Sequence, residues 1–291
     1  MKRQFVVIAI AIWPLSWLWT SFFSDRSVVE SYPVIKTQWL SHLDEVFDAC
    51  DKRTMVLFDI DDTLLSSHEV WARSVGREPL WFKLRALLAY PSLIKEQRRE
   101  WLYSKLFELA PRELIEPSIV RRIAALRVRN VWVFGMTSME SGSYGCIPSM
   151  PHWRYAMLNR LGVRFTVRCH TATLQSLPIY RGTKPLFYNG ILCCNQQPKG
   201  AVLAALLSER VEVVRPKKIV AVDDDYAALQ SIGATCAKLE IPCVLVHYTG
   251  GHRMRGSFST KRALLQLTAL MNHSRYLTDN VVDHQLYLAS L

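Results

Sequence analysis

The chain has 291 residues, half of them hydrophobic and 21% charged. That suits one large folded domain, or a core with a smaller companion, and excludes a disordered, collagen-like or coiled-coil chain. Lysine and arginine number 36 against 25 for aspartate and glutamate, a formal charge of +11, and such an excess favours anionic partners: phosphate esters, nucleic acid or a lipid surface.

Met1-Lys2-Arg3 precede an uncharged stretch from Gln4 to Phe23 that contains FVVIAIAIWPLSWLWTSFF, and the first acid is Asp25. A basic start and an apolar run fit a secretory signal, whose apolar region is about 7 to 15 residues, but this run approaches the roughly 20 of a membrane span. No A-x-A-like cleavage site succeeds it, and Trp13, Trp17 and Trp19 resemble an interfacial belt. Residues 1–25 are therefore expected to act as a cleaved signal peptide or as a retained N-terminal membrane anchor. In either case the positive-inside rule keeps Lys2 and Arg3 in the cytoplasm and sends the chain beyond Asp25 across the membrane, to the periplasm or cell envelope. Seven cysteines (Cys50, Cys146, Cys169, Cys193, Cys194, Cys236, Cys243) include no CxxC pair, which argues against a zinc site. They fit either small buried hydrophobes or an oxidised framework, with Cys236 and Cys243 the favoured pair for a bridge.

Beyond a lead-in at 26–36, Thr37 is expected to cap a helix with Leu40, Leu43, Val46 and Phe47 on its apolar stripe. Met55 to Phe58 is a short β-type run that leads straight into Asp59-Ile60-Asp61-Asp62-Thr63. Residues 66–128 carry helical patterns, with Trp81, Leu84, Leu87 and Leu88 on one face and Trp101, Leu102, Leu106 and Leu109 on another. Val131 to Phe134 precedes Thr137-Ser138. Between 140 and 198 glycines and prolines break the pattern, which predicts loops and a hairpin, with β-like text near Arg164 to Arg168. Lys199 opens a helix in PKGAVLAALL, Ile219 to Val222 leads into Asp223-Asp224-Asp225, and Cys243 to His247 is a last strand before a helical C-terminal stretch from Thr260. The tryptophans are expected to pack rather than to stack on bases, and no nucleic-acid module is visible, so no nucleic-acid partner is expected. Alternating strands and helices imply an α/β fold with a mainly parallel sheet.

In such a sheet ligands collect outside the carboxyl ends of the strands. Two carboxylates two residues apart at a strand end can serve as nucleophile, Asp59, and as general acid then base, Asp61. Both are ionised at neutral pH and repel a phosphate dianion, so positive charge has to come from elsewhere. Asp223 and Asp224 supply hard oxygen ligands suited to Mg2+. Without an ion, two carboxylates about 4 Å apart cost on the order of 4 kcal/mol at an effective dielectric of 20. Lys199 can offset further charge, and Thr137 and Ser138 offer a hydroxyl and backbone N–H groups to phosphate oxygens.

VLFDIDDTLL, a Thr-Ser after a strand, PKG opening a helix and IVAVDDD, in that order over residues 55–225, resemble the haloacid dehalogenase (HAD) superfamily. More narrowly, KGAVLAALL, KKIVAVDDD and a late HYTG are similar to a bacterial HAD-like family of unknown function with envelope-targeting signals, related to the secreted acid phosphatases. The resemblance implies a HAD-like core from 26–65 and 129–291, with 66–128 as a helical cap insert that reads the substrate. It implies a phosphatase in which Asp59 becomes phosphorylated, Asp61 is the acid/base, Thr137 binds phosphate and Lys199 stabilises. The Mg2+ site would comprise Asp59, Asp223, Asp224 and the backbone carbonyl of Asp61. The expected partner is a small phosphorylated substrate. Two positions depart from the pattern: Met139 stands where Arg is expected, and Asp62 where Gly is common. These departures, with the charge and the N-terminal segment, leave a second expectation open, a catalytically degenerate domain serving as an envelope binding module.

Overall fold

The computed structural model describes residues 32–167, 170–209, 215–254 and 256–290. The expected signal or anchor at 1–25 and Cys169 lie outside the described residues. Among the described residues no helix is long and apolar enough to cross a membrane.

The first half of the chain forms β1 (Val34–Thr37), a 3-10 turn at Leu40–Leu43, α1 (Asp44–Asp48), β2 (Thr54–Asp59), β3 (Leu65–Ser66), α2 (Val70–Arg73), α3 (Leu80–Ala89), α4 (Glu96–Leu109), β4 (Glu113–Leu114), α5 (Ile119–Val128) and β5 (Trp132–Thr137). The second half forms α6 (Met150–Arg160), β6 (Thr171–Thr173), β7 (Leu186–Tyr188), β8 (Ile191–Cys193), α7 (Lys199–Ser208), β9 (Lys218–Asp223), α8 (Tyr226–Lys238), β10 (Cys243–Tyr248), α9 (Thr260–His273) and α10 (Asp279–Leu288). Eight strands make one sheet in the order β1-β10-β9-β2-β5-β8-β7-β6, parallel from β1 through β8, with β7 antiparallel to both of its neighbours. The α/β class and the mainly parallel sheet are as expected.

Every residue of β2 and β5 is buried, as continuous apolar runs are when helices cover both faces of a parallel sheet. The pleat sorts their side chains by twos. Val56, Phe58, Val133, Val220 and Val222 join Ile119, Ile123 and Leu126 of α5 and Leu158 of α6 in one cluster. Met55, Leu57, Trp132, Phe134, Ile219 and Ala221 join Val202 and Leu203 of α7 and Leu229 and Ile232 of α8 in another.

Several expectations change. Thr37 ends β1 instead of capping a helix. Its hydroxyl accepts from the Trp39 amide at 3.0 Å, and the adjoining 3-10 turn has no side-chain cap. The hairpin expected between 140 and 198 is β7–β8, turned by Asn189 (φ 47°) and Gly190 (φ 86°), the left-handed pair that a two-residue hairpin turn requires. Of the β-like text at Arg164 to Arg168, the described residues 164–167 form no regular strand, although the Thr166 amide bonds Val133 O at 2.8 Å. In α3 the face with Trp81, Leu84 and Leu88 is exposed, Trp81 to 72%, and Phe82 and Ala86 are buried. Phe82 sits edge-on between Trp71 (5.6 Å) and Phe258 (5.5 Å). A helix apolar nearly all round does not choose its buried face by periodicity, so the aromatic neighbours choose it. Cys50, Cys146, Cys193, Cys194, Cys236 and Cys243 are free thiols, so the favoured Cys236–Cys243 bridge is not formed.

Candidate active site

β9, β2 and β5 are neighbours at the centre of the sheet, and their carboxyl ends are Asp223, Asp59 and Thr137. Asp59 succeeds Met55 and Leu57 by twos, and Asp223 succeeds Ile219 and Ala221, so both face the side covered by α7. Thr137 succeeds Val133 onto the opposite side.

Lys199, the first residue of α7, is 5% exposed, and its Nζ donates to Asp59 Oδ1 and Asp223 Oδ2, each at 2.6 Å. Gly200 explains how α7 comes so close. A Cβ there would lie 2.1 Å from Ser231 O in α8, and the Gly200 amide donates to Ser231 Oγ at 3.0 Å. Burial pushes the Lys199 ammonium pKa down, but the two carboxylates more than reverse this and hold it above its ordinary value. Burial raises Asp59 well above the usual carboxylate range against the pull of Lys199, and Asp223 is raised for the same reason. Asp224 is pushed up to about 7, by burial first and then by Asp223 and Asp62.

The three consecutive aspartates have separate tasks. Asp223 meets Lys199, while its other oxygen accepts from the Asp225 amide at 2.9 Å. Asp224 is placed by its own amide, which donates to Thr63 Oγ1 at 3.1 Å, and by its carbonyl, 3.0 Å from His247 Nε2. Asp225 caps α8 through the Ala227 amide at 2.8 Å. Asp59, Asp223 and Asp224 each offer an oxygen within 4.8 Å of the others. Asp59 Oδ2 is buried and has no hydrogen-bond partner among the described residues.

The carboxylate of Asp61 lies outside this group. After β2 the chain turns sharply: the Leu64 and Leu65 amides both bond Ile60 O at 3.0 Å, and Asp62 takes φ 61°. That left-handed position explains why glycine suits it and aspartate is tolerated. The turn aims Asp61 at Arg154 of α6, whose Nη2 donates to both of its oxygens at 2.9 and 2.8 Å, and at Arg112, whose Nη1 donates at 3.2 Å. Thr137 Oγ1 is 3.5 Å from Asp61 Oδ2. Partial desolvation favours the neutral acid, yet Arg154 and Arg112 outweigh it and hold Asp61, whose side chain stays part-exposed, below its ordinary pKa. Arg112 is seated by the β3–β4 pair, Leu65 opposite Leu114 and Ser66 opposite Glu113, and by Ser67 Oγ donating to Pro111 O at 2.6 Å.

The geometry therefore unites Asp59, Lys199, Asp223 and Asp224 on one side of the strand ends and Asp61 and Thr137 on the other. Ser138 is exposed. Its carbonyl accepts from the Gln196 amide at 3.0 Å, and among the described residues no hydrogen bond links its hydroxyl to the acidic cluster. Met139 is buried in the core. Arg112 and Arg154 escape a reading of the sequence, because no spacing or motif marks them, whereas Thr63 and His247 stand in the quoted DIDDT and HYTG runs without a role assigned to them there. Chemically, one side is short of positive charge and offers oxygen ligands, and the other presents two guanidiniums to one carboxylate.

Two relatives share most of the chain. A protein of Rickettsia prowazekii described as uncharacterized is 22% identical over 238 residues, 81% of this chain and 84% of its own length. A Chlamydia pneumoniae protein named "Putative outer membrane protein" is 26% identical over 229 residues, 74% of this chain and 78% of its own. The family described as "Protein of unknown function (DUF2608)" matches residues 36–281, and with that span matched the chain belongs to the DUF2608 family.

Proposed function

We propose that the chain is a Mg2+-dependent phosphomonoester hydrolase on a HAD-like core, acting on a small phosphorylated substrate through a phospho-aspartyl intermediate at Asp59. One observation carries the reading: a buried lysine at a helix start is shared between carboxylates at the ends of two adjacent parallel strands, with a third carboxylate beside them. A purely structural ion pair needs one carboxylate per ammonium, and three around one leave a deficit of positive charge.

The residues fit Mg2+. Their donor set is carboxylate oxygen alone, the chemistry of a hard cation, and Asp59 Oδ2 is a buried oxygen with no other partner. Asp59, Asp223, Asp224 and the backbone carbonyl of Asp61 would hold the ion, which would polarise phosphoryl oxygens and offset carboxylate repulsion. The chain's own groups do the rest. A carboxylate oxygen of Asp59 forms a bond to phosphorus as the ester P–O bond breaks, and the departing oxygen takes its proton from the protonated fraction of Asp61, a fraction that Arg154 and Arg112 keep small. Asp61 then takes a proton from water, whose oxygen attacks phosphorus and releases inorganic phosphate and Asp59. Lys199 holds Asp59 in position and offsets charge on the phosphoryl group, and Thr137 Oγ1 stands beside Asp61 to donate to a phosphate oxygen. The apolar N-terminal run and the name of the Chlamydia relative support a place in the cell envelope, reached through a cleaved signal or a retained anchor.

The test is hydrolysis of an aryl phosphate by the full chain, wild type against Asp59→Asn, with Mg2+ or with EDTA. Turnover lost in both the chelated sample and the variant is the expected result. Turnover that persists in Asp59→Asn overturns the reading. So does a folded chain that neither hydrolyses any phosphomonoester nor takes up beryllofluoride.

A further inference from the structure

We infer that Arg112 and Arg154 form an anion subsite on the leaving-group side of the cluster, and that the substrate is a phosphomonoester whose alcohol carries a second small anion, a carboxylate or another phosphate. The substrate class rests on the hydrolase reading above, and the anion subsite rests on geometry alone.

Three observations converge. The first is a charge count: two guanidiniums whose side chains are only 10% and 4% exposed bond the same carboxylate, Asp61. A buried cation needs a full complement of partners, and the Nε of both Arg112 and Arg154 is buried without one among the described residues. The second is rigidity. Arg112 lies over the Phe107 ring at 5.4 Å and Arg154 over the Trp153 ring at 5.0 Å, and those two rings are 6.2 Å apart. Guanidiniums stacked on fixed aromatics are forks whose orientation is set before a ligand arrives, the arrangement suited to bidentate recognition of carboxylate or phosphate. The third is access. Asp61, which the pair grips, keeps 41% of its side chain exposed, so this end opens to solvent whereas Lys199 closes the other.

Position is dictated by role. Asp61 delivers a proton to the departing ester oxygen, so groups bonded to its carboxylate stand beside the alcohol rather than beside the transferred phosphoryl group. Arg112 comes from the edge of the insert and Arg154 from α6, on separate pieces of chain that both reach the alcohol side. An anion on the alcohol would compete with Asp61 for these donors.

The experiment compares matched pairs with the full chain and Mg2+: 3-phosphoglycerate against glycerol 3-phosphate for a carboxylate, and fructose 1,6-bisphosphate against fructose 6-phosphate for a second phosphate. A charge-assisted bidentate contact predicts a kcat/KM preference of about ten- to a hundredfold for the more anionic member of at least one pair. That preference is expected to collapse in Arg112→Gln and in Arg154→Gln and to survive in Arg122→Gln. The last substitution removes the same charge from the Arg122–Asp44 ion pair of α5. Arg112→Gln, at the slightly less buried of the two arginines, serves if Arg154→Gln does not fold. A wild-type ratio near one for both pairs overturns the inference, as does a preference unchanged in the arginine variants. If no compound is hydrolysed, the same ratios are read as affinities by calorimetry. An arginine-dependent preference then keeps the subsite and removes the hydrolase reading, and no preference removes both.

Discussion

Lys199 Nζ stands 2.6 Å from Asp59 Oδ1 and 2.6 Å from Asp223 Oδ2, and this one ammonium lets two adjacent strand ends carry buried carboxylates. Removing it leaves both without a counter-charge. Lys199→Met is therefore expected to lose about 3–5 kcal/mol of stability at pH 7, the usual result of breaking a buried pair from one side. The carboxylates would then have folded-state pKa values further above their ordinary 3.8. A raised carboxylate pKa costs stability fully above the folded value and not at all below the unfolded one, so the deficit should shrink as pH falls towards 4. Urea unfolding at several pH values checks this, and a pH-independent loss would point to packing instead of charge. Added Mg2+ should recover part of the loss at pH 7.

Asp224 is held near 7 by burial and by Asp223 and Asp62, which makes the proton a competitor of any cation at this site. Ligands must be deprotonated to bind a metal. The apparent affinity for Mg2+ should be nearly constant above pH 8 and fall by up to about tenfold per unit below 7. Calorimetric titration with MgCl2 at pH 6 and 8 measures the difference. Asp224→Asn should weaken binding and remove the step near 7, and a step that survived would belong to another group.

Gly200 faces Ser231 O so closely that a Cβ would lie at 2.1 Å. Backbone cannot yield as a flexible side chain does, so Gly200→Ala forces α7 away from α8 and should cost about 1–3 kcal/mol. Lys199 is the neighbouring residue and moves with the helix end. Unfolding and aryl phosphate hydrolysis should therefore suffer together, and a variant that loses neither would show that the helix contact is looser than the structure places it.

The legible parts of this fold are those written in short-range patterns. The apolar runs of β2, β5, β9 and β10 announce buried strands, and the pleat then decides which side Asp59, Asp223 and Thr137 face. Lys199 is legible through its place in PKG at a helix start, but its burial between two carboxylates is a property of packing. β1 hides because VIKT is four residues at a sheet edge and half exposed. Arg112 and Arg154 hide for a different reason. They reach Asp61 across 51 and 93 residues of chain, through a pair of two-residue strands and the rotation of α6, and neither leaves a periodic trace. The aspartate run shows the limit in another way: three identical letters are two ligand candidates and a helix cap, and only the backbone path separates them.

The reversed face of α3 provides a sharp comparison between pattern and packing. Leu88 is 79% exposed, whereas Phe82 is 4% exposed between Trp71 and Phe258. Leu88→Glu should leave the unfolding free energy within about 0.5 kcal/mol of wild type, because a solvated side chain loses no packing. Phe82→Ala should cost about 3–5 kcal/mol through the cavity left among those rings. Urea unfolding of the two variants side by side decides the matter. If Leu88→Glu were the costly one, the helix would be turned about its axis, with Trp81, Leu84 and Leu88 inward as their spacing suggests. The ring contacts that fix Phe82 would then have to be broken in solution.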